Sequence, residues 1–135
     1  MKTLLELLED LTMIPALSGY EMRIANYLRQ AMESYVDEIS VDMAGNLSAI
    51  VKGEDPKAPK VMIFAHMDQL GLVVSKIEPE GFIRFERLGG VPEKVLPGTR
   101  VMIESEHGEV FPGVVGVKAH HVTPPDEKYV VTPYQ

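Results

Sequence analysis

The stretch Val61-Met62-Ile63-Phe64-Ala65-His66-Met67-Asp68 joins a solid apolar run directly to two polar side chains. Consecutive apolar residues without alternation are typical of a short strand covered on both faces, as at the centre of an α/β sheet. Open α/β sheets present their ligand sites at the carboxyl ends of such strands. The stretch therefore predicts a buried strand over 61–65, with His66 and Asp68 at its carboxyl end.

His66 and Asp68 are two residues apart, so in an extended backbone their side chains point to the same side. A neutral imidazole is a good zinc ligand, and a neighbouring carboxylate is the usual group that orients it. The same spacing also fits a histidine that ends a strand, followed by an aspartate that begins a turn toward Gly71. The pair is a candidate metal site, with this structural role as the alternative.

Helical patterns precede this stretch. Leucines recur at the spacing of one helix face over residues 4–11, and Pro15 ends that segment. Ser18 and Glu21 have the spacing of a capping box, which predicts a second helix running to about Tyr35. The residues predicted on its buried side are Ile24, Leu28, Ala31 and Tyr35.

Short strand patterns separated by glycine-bearing turns make up most of the remainder. A first hairpin is predicted from residues 39–41 and 47–51. The strand candidates after residue 70 are 71–77, 82–87, 99–105 and 109–117. Strands at this spacing favour a small barrel or sandwich. The sequence therefore predicts an α/β (α+β) chain, with a helix-bearing portion over 1–70 and a β-rich portion over 71–135.

The composition excludes several classes of function. The 13 basic residues against 20 acidic ones give a net charge of −7, which disfavours nucleic-acid binding and ranks a small nucleic-acid-binding barrel last. No cysteine is present, so disulfide scaffolds and thiol nucleophiles are excluded. The apolar run at 61–65 is far shorter than the ~20 residues of a membrane span. We expect a cytoplasmic protein without membrane or nucleic-acid partners.

The other chemically capable motifs are weak. No Gly-x-Ser-x-Gly or phosphate-binding loop occurs, and Gly89-Gly90 is predicted to be a plain loop. His107 is predicted to lie in a solvated hairpin turn. His120 and His121 are adjacent, so on an extended backbone they point to opposite sides and would chelate one ion poorly.

Four motifs occur in order along nearly the whole chain, and together they resemble the M42 metalloaminopeptidases, the tetrahedral or TET-type enzymes of which some carry endoglucanase labels. The motifs are Asp42–Leu47, Ala65–Gly71, Gly89-Gly90, and Pro112–Lys118 followed by His121. Gln69 departs from the glutamate that many members have, and Ala119-His120 from a pair of prolines.

The resemblance implies a cytoplasmic exopeptidase with two divalent metal ions, zinc or cobalt, that removes N-terminal residues from short peptides. It implies that His66 ligates one metal and that Asp68 serves the catalytic site by supporting that ligand. Residues 1–70 would be the N-terminal part of the catalytic α/β domain. Residues 71–135 would be a barrel-like β-rich insertion, truncated at its end, through which the family forms dimers and larger homo-oligomers.

The family's bridging aspartate, general-base glutamate and remaining ligands come from segments beyond the insertion, so we expect a truncated and inactive fragment. A zinc ion normally takes three or more protein ligands, and His66 supplies one. For this chain alone the outcomes are a residual one-histidine site or no bound metal. The alternatives are a non-catalytic oligomerisation or interaction module, in which the β-rich part self-associates, and an endoglucanase-labelled hydrolase.

Overall fold

The structure is a computed structural model that describes residues 2–117, 119–126 and 128. The chain divides into two compact units at the junction between Gly71 and Leu72. The helices are α1 (Leu4–Met13) and α2 (Met22–Met32), and the strands are β1 (Glu38–Val41), β2 (Leu47–Ile50), β3 (Gly71–Ile77), β4 (Ile83–Leu88), β5 (Arg100–Glu104) and β6 (Val110–Val114). Single turns of 3₁₀ helix cover Glu33–Tyr35, Glu93–Val95 and His120–Val122. Each helix in the described part of the chain falls short of what a membrane crossing needs in length and apolarity.

Helix α1 begins at a capping box that the sequence analysis did not identify. The Glu6 N–H donates to the Thr3 hydroxyl at 3.3 Å, and the Thr3 N–H donates to the Glu6 carboxylate at 2.7 Å. These hydrogen bonds satisfy donors that the first helical turn leaves free. Hydrogen bonds from the backbone and the hydroxyl of Thr3 lower the pKa of Glu6. The predicted end is confirmed, because the helix stops before Pro15, which disfavours helical geometry in the preceding residue.

Helix α2 is present, but the predicted capping box at its start is wrong. The Ser18 hydroxyl donates to Asp68 instead, and the Glu21 carboxylate accepts from the Gly19 N–H at 2.8 Å. The helix starts after Glu21, which makes no side-chain capping bond.

The predicted buried face of α2 is correct at its start and wrong at its end. Ile24 is buried, as is its neighbour Ala25, and Leu28 is half-buried. Ala31 is exposed and Tyr35 is 65% exposed. Ala31 faces solvent although it lies within the helix, whereas Tyr35 lies beyond it, because the α-helix ends at Met32 and the chain tightens into a 3₁₀ turn.

The hairpin of β1 and β2 confirms the prediction, with Val41 opposite Leu47 in an antiparallel register. Its turn is built around the Asp42 carboxylate, which accepts from the backbone N–H groups of Ala44 and Asn46 and from the Asn46 side chain, each at 2.9 Å. The Asn46 side-chain amide is the largest cause that lowers the pKa of Asp42. Gly45 supplies the positive φ of +86° that the turn requires.

Two further hairpins form the described strands of the second unit. Strand β3 pairs with β4 through a turn at Gly81, and β5 pairs with β6 with Arg100 opposite Val114. Leu96 and Val115 are the buried apolar residues of this unit among those described. The predicted strands are confirmed to within a few residues, and Gly89-Gly90 lies outside helix and strand, as predicted. Lys118 of the fourth motif lies outside the described residues.

The strand predicted over 61–65 is wrong. These residues belong to no helix or strand, and the four from Val61 to Phe64 are 84–93% exposed. A strand exists only through hydrogen bonds to a neighbour, and no described segment pairs with this one.

The structure confirms helices combined with small antiparallel sheets, but it does not support a barrel. The described strands after residue 70 form two separate two-stranded sheets, β3–β4 and β5–β6. A closed barrel requires every strand to have a hydrogen-bonded neighbour on both edges. Within the described residues, each of these strands has a neighbour on one edge.

Replacing Gly71 by alanine is expected to destabilise the first unit. A Cβ atom at residue 71 would lie 2.1 Å from Leu17 Cδ2, so the leucine would have to move. Overpacking of this kind costs about 1–3 kcal/mol, which a lower urea midpoint would measure. Gly53→Ala is the matched control, because a Cβ at residue 53 meets no atom within 4 Å. Equal midpoints for both variants would contradict the close packing of Gly71 on Leu17.

Replacing Asn46 by alanine is expected to destabilise the chain in a pH-dependent way. Because the folded state lowers the pKa of Asp42, the stabilisation by its hydrogen bonds is present above the unfolded value of about 3.9 and is lost as pH falls through the folded value. The difference in free energy of unfolding between wild type and Asn46→Ala should therefore be largest near pH 7 and shrink below about pH 4. Asn26→Ala, on the exposed side of α2, is the control with a difference independent of pH. A constant difference for Asn46→Ala from pH 7 to pH 3 would show that the turn does not depend on the charged carboxylate.

Candidate metal centre

The segment that carries His66 and Asp68 is held against the connection between α1 and α2. The Gln69 N–H donates to the Ala16 carbonyl at 2.7 Å, and Leu17 forms an isolated parallel bridge with Gln69. The Gln69 side-chain amide also donates to the Thr12 carbonyl at 3.3 Å. Ala16 is fully buried. The candidate site is therefore positioned by contacts at Gln69 and not by a strand that precedes it.

The side chains of His66 and Asp68 lie together, as their spacing predicts. His66 Nδ1 is 3.1 Å from Asp68 Oδ1 and 3.0 Å from the Asp68 backbone carbonyl. The other carboxylate oxygen, Oδ2, accepts a hydrogen bond from the Ser18 hydroxyl at 2.9 Å. The carboxylate thus links a hydroxyl on one side to an imidazole on the other.

The electrostatics of this cluster follow from these contacts. Hydrogen bonds from Ser18, and then from His66, hold the pKa of Asp68 below its ordinary value. The Asp68 side chain keeps 39% of its surface exposed and that of His66 keeps 85%. Asp68 is therefore a carboxylate at neutral pH, and the imidazole stands in the solvent.

The geometry of His66 fits one ligand of a metal ion. Both groups that face Nδ1 are acceptors, so the neutral ring carries its proton on Nδ1 and leaves the Nε2 lone pair free. This is the arrangement in which a carboxylate orients a metal-bound histidine. Across the described residues, no group of three or more His, Cys, Asp or Glu side chains could hold a metal ion. The described residues thus offer one candidate ligand with a carboxylate beside it, and they do not form a complete metal site.

The remaining histidines belong to the second unit, and none of them is part of a group of three or more possible metal ligands among the described residues. The His107 N–H donates to the Ser105 hydroxyl at 3.3 Å within the exposed turn between β5 and β6, which confirms the predicted hairpin turn. His120 and His121 are exposed and begin the short 3₁₀ helix that ends at Val122.

Ser18 is the member of the cluster that sequence reasoning missed. It is 50 residues from Asp68 in the chain, and its spacing to Glu21 favoured a helix cap. No local pattern connects the two residues, because their contact depends on the bridge between Leu17 and Gln69.

The comparisons with known proteins agree on one family. The M42 glutamyl aminopeptidase family matches residues 45–134. The lysyl aminopeptidase of Pyrococcus furiosus is 37% identical over 118 residues, which is 87% of this chain and 33% of that protein. The chain spans about a third of the length of the relatives that it matches.

Solved structures of TET proteins are also similar to this chain. A TET aminopeptidase from a marine sediment archaeon (Thaumarchaeota archaeon) has a TM-score of 0.87 and 34% identity, over 96% of this chain and 35% of that one. PhTET1-12s, whose structure holds a dodecamer in the asymmetric unit, has a TM-score of 0.77 and 34% identity, over 98% of this chain and 37% of that one.

Amide hydrogen exchange is expected to separate the anchored residue from the exposed run before it. The Gln69 amide should exchange slowly, because it donates to the carbonyl of the fully buried Ala16. The amides of Val61 to Phe64 should exchange rapidly, because no backbone hydrogen bond in the described part of the chain protects them. The amides of β5 are the reference for a protected hairpin. Protection of Val61 to Phe64 comparable with that of β5 would contradict the observed lack of a pairing strand.

Proposed function

This chain belongs to the M42 family of aminopeptidases, and on that premise we propose that it is part of a metal-dependent enzyme that removes N-terminal residues from short peptides. The observation that supports the proposal is the orientation of His66, whose Nδ1 faces two acceptor atoms of Asp68, which leaves the lone pair of the neutral ring on Nε2. Membership of the family implies the use of divalent metal ions, and we propose zinc or cobalt.

In this proposal His66 ligates a metal through Nε2, and Asp68 fixes the tautomer and the ring orientation. When bound, a pair of divalent ions supplies polarisation of the scissile carbonyl and an activated water. The Asp68 carboxylate fixes the tautomer and the ring orientation by accepting a hydrogen bond from Nδ1–H of the imidazole. The proposed role of Asp68 is thus to support the ligand His66.

We propose that the chain is inactive by itself, because its described residues contain no set of three or more His, Cys, Asp or Glu side chains that could together hold a metal ion. Ions about 3.5–4 Å apart repel each other, so a two-metal site needs carboxylates to offset their charge. The bridging carboxylate, the general base and the other ligands would come from a segment that corresponds to the remaining length of the relatives. Residues 1–70 would then be part of the catalytic domain.

We further propose that residues 71–135 form a dimerisation-type insertion through which the chain forms homo-oligomers. Two observations support this second role. Exposed apolar side chains lie on the hairpin of β5 and β6, with Met102 at 75%, Val114 at 66% and Phe111 at 51% exposure. The related PhTET1-12s is a dodecamer. A cytoplasmic location is part of the same proposal and fits the absence of cysteine.

A chimera tests the catalytic proposal. This chain would replace the matching third of the Pyrococcus furiosus lysyl aminopeptidase, and release of chromophore from aminoacyl nitroanilides would be measured with added zinc or cobalt. We expect no activity from the 135-residue chain and activity from the chimera. Asp68→Ala should lower the activity of the chimera by about 10- to 100-fold, as removal of a carboxylate behind a metal ligand does. His66→Ala should remove it.

His107→Ala in the same chimera is the matched control, because His107 lies in an exposed turn and should leave activity unchanged. Substrate turnover by the 135-residue chain would show that it needs no further ligands. Full activity of a folded His66→Ala chimera would show that His66 is not a metal ligand.

A further inference from the structure

The contact between Ser18 and Asp68 has no part in the proposal above. We propose that Ser18 is a positioning residue, which holds the Asp68 carboxylate so that it in turn holds the His66 ring with Nε2 free. That this arrangement supports a metal ligand rests on the proposed function. The geometry itself is independent of that function, because it consists of contacts within this chain.

The need for a second partner follows from the exposure of the pair. An aspartate carboxylate rotates easily about its last torsion, for which the energy wells are broad. The Asp68 side chain is 39% exposed and the imidazole is 85% exposed, so water competes for their mutual hydrogen bond. The Ser18 hydroxyl at 2.9 Å from Oδ2 leaves Oδ1 directed at His66 Nδ1.

The backbone contact beside the two residues sets their separation. Leu17 precedes Ser18 and Gln69 follows Asp68, and these two neighbours form the parallel bridge. The adjoining Ala16 carbonyl, in a fully buried residue, accepts from the Gln69 N–H at 2.7 Å. The parallel register therefore places Ser18 and Asp68 diagonally across the bridge on the same face, where the hydroxyl reaches the carboxylate.

The order of the contacts indicates positioning and not nucleophilic catalysis. An activated serine donates its proton to an imidazole, which a carboxylate orients from the other side. Here the carboxylate stands between the two, since Ser18 donates to Oδ2 and His66 Nδ1 faces Oδ1. The group that faces the Ser18 hydroxyl is therefore the Asp68 carboxylate and not an imidazole.

The tautomer of His66 reports this role directly. Ring ¹⁵N chemical shifts of the metal-free 135-residue chain would be measured at about pH 9, and the shifts of the two ring nitrogens give the ratio of the tautomers. Wild type should carry its proton mainly on Nδ1. Ser18→Ala should move the ratio of the Nδ1–H to the Nε2–H tautomer toward that of a free histidine by on the order of 2- to 10-fold, as expected for one weakened hydrogen bond.

Two variants make this result specific. Ser18→Thr keeps the hydroxyl at an exposed position and should retain the wild-type ratio, whereas Ser34→Ala removes an exposed serine elsewhere and should change nothing. Slow exchange of the Gln69 amide would verify that each variant keeps its backbone contact. If Ser18→Ala loses that protection, Ser18→Cys, with its weak S–H donor, is compared by the same readout.

An unchanged tautomer ratio in a variant that has lost the hydroxyl but keeps the Gln69 contact would overturn the role of Ser18. So would a ratio in Ser18→Thr equal to that of Ser18→Ala. The measurement needs neither metal nor substrate. A chimera without activity, together with a tautomer that depends on Ser18, would therefore reject the aminopeptidase proposal and leave the positioning role intact.

Discussion

The hydrogen bond from the Gln69 N–H to the Ala16 carbonyl is the contact on which the first unit depends. Ala16 is fully buried, so its carbonyl would be costly to leave without a partner. The bond brings a segment from beyond the first hairpin back to the connection between the two helices. Gly71 can then lie against Leu17, where a Cβ atom would displace the leucine side chain. The cluster of Ser18, Asp68 and His66 is a consequence of this backbone contact.

The hairpins could be predicted from the sequence because their information is local. Asp42, Gly45 and Asn46 form a turn through their own hydrogen bonds and a positive φ, and the strands on either side follow from it. The run at 61–65 was different. Its apolar residues are typical of a strand that is covered by other segments. They do not show whether a segment that could pair with it is present. The barrel failed for the same reason, since closure depends on pairing between hairpins.

One part of the candidate site could be predicted from the sequence and another part could not. His66 and Asp68 are close in sequence, so a spacing of two residues was enough to place their side chains together. The contact of Ser18 with Asp68 could not be predicted, because the residues around Ser18 do not indicate the backbone pairing that brings the two together. Its spacing to Glu21 is that of a capping box, as is the spacing of Thr3 to Glu6, yet only the latter forms. The box at Ser18 does not form because the Ser18 hydroxyl donates to Asp68, a residue distant in the chain.

The exposed apolar run over Val61 to Phe64 has a physical consequence for contacts between copies of the chain. A short segment with high β-propensity and no charge can stack with copies of itself into cross-β fibrils. Pro59 and Lys60 stand immediately before Val61. Proline lacks the N–H that stacking requires, and lysine adds repulsion between copies, so these two residues act as gatekeepers. A proline and a lysine directly before exposed apolar residues such as Val61 to Phe64 are therefore the arrangement that disfavours stacking of copies.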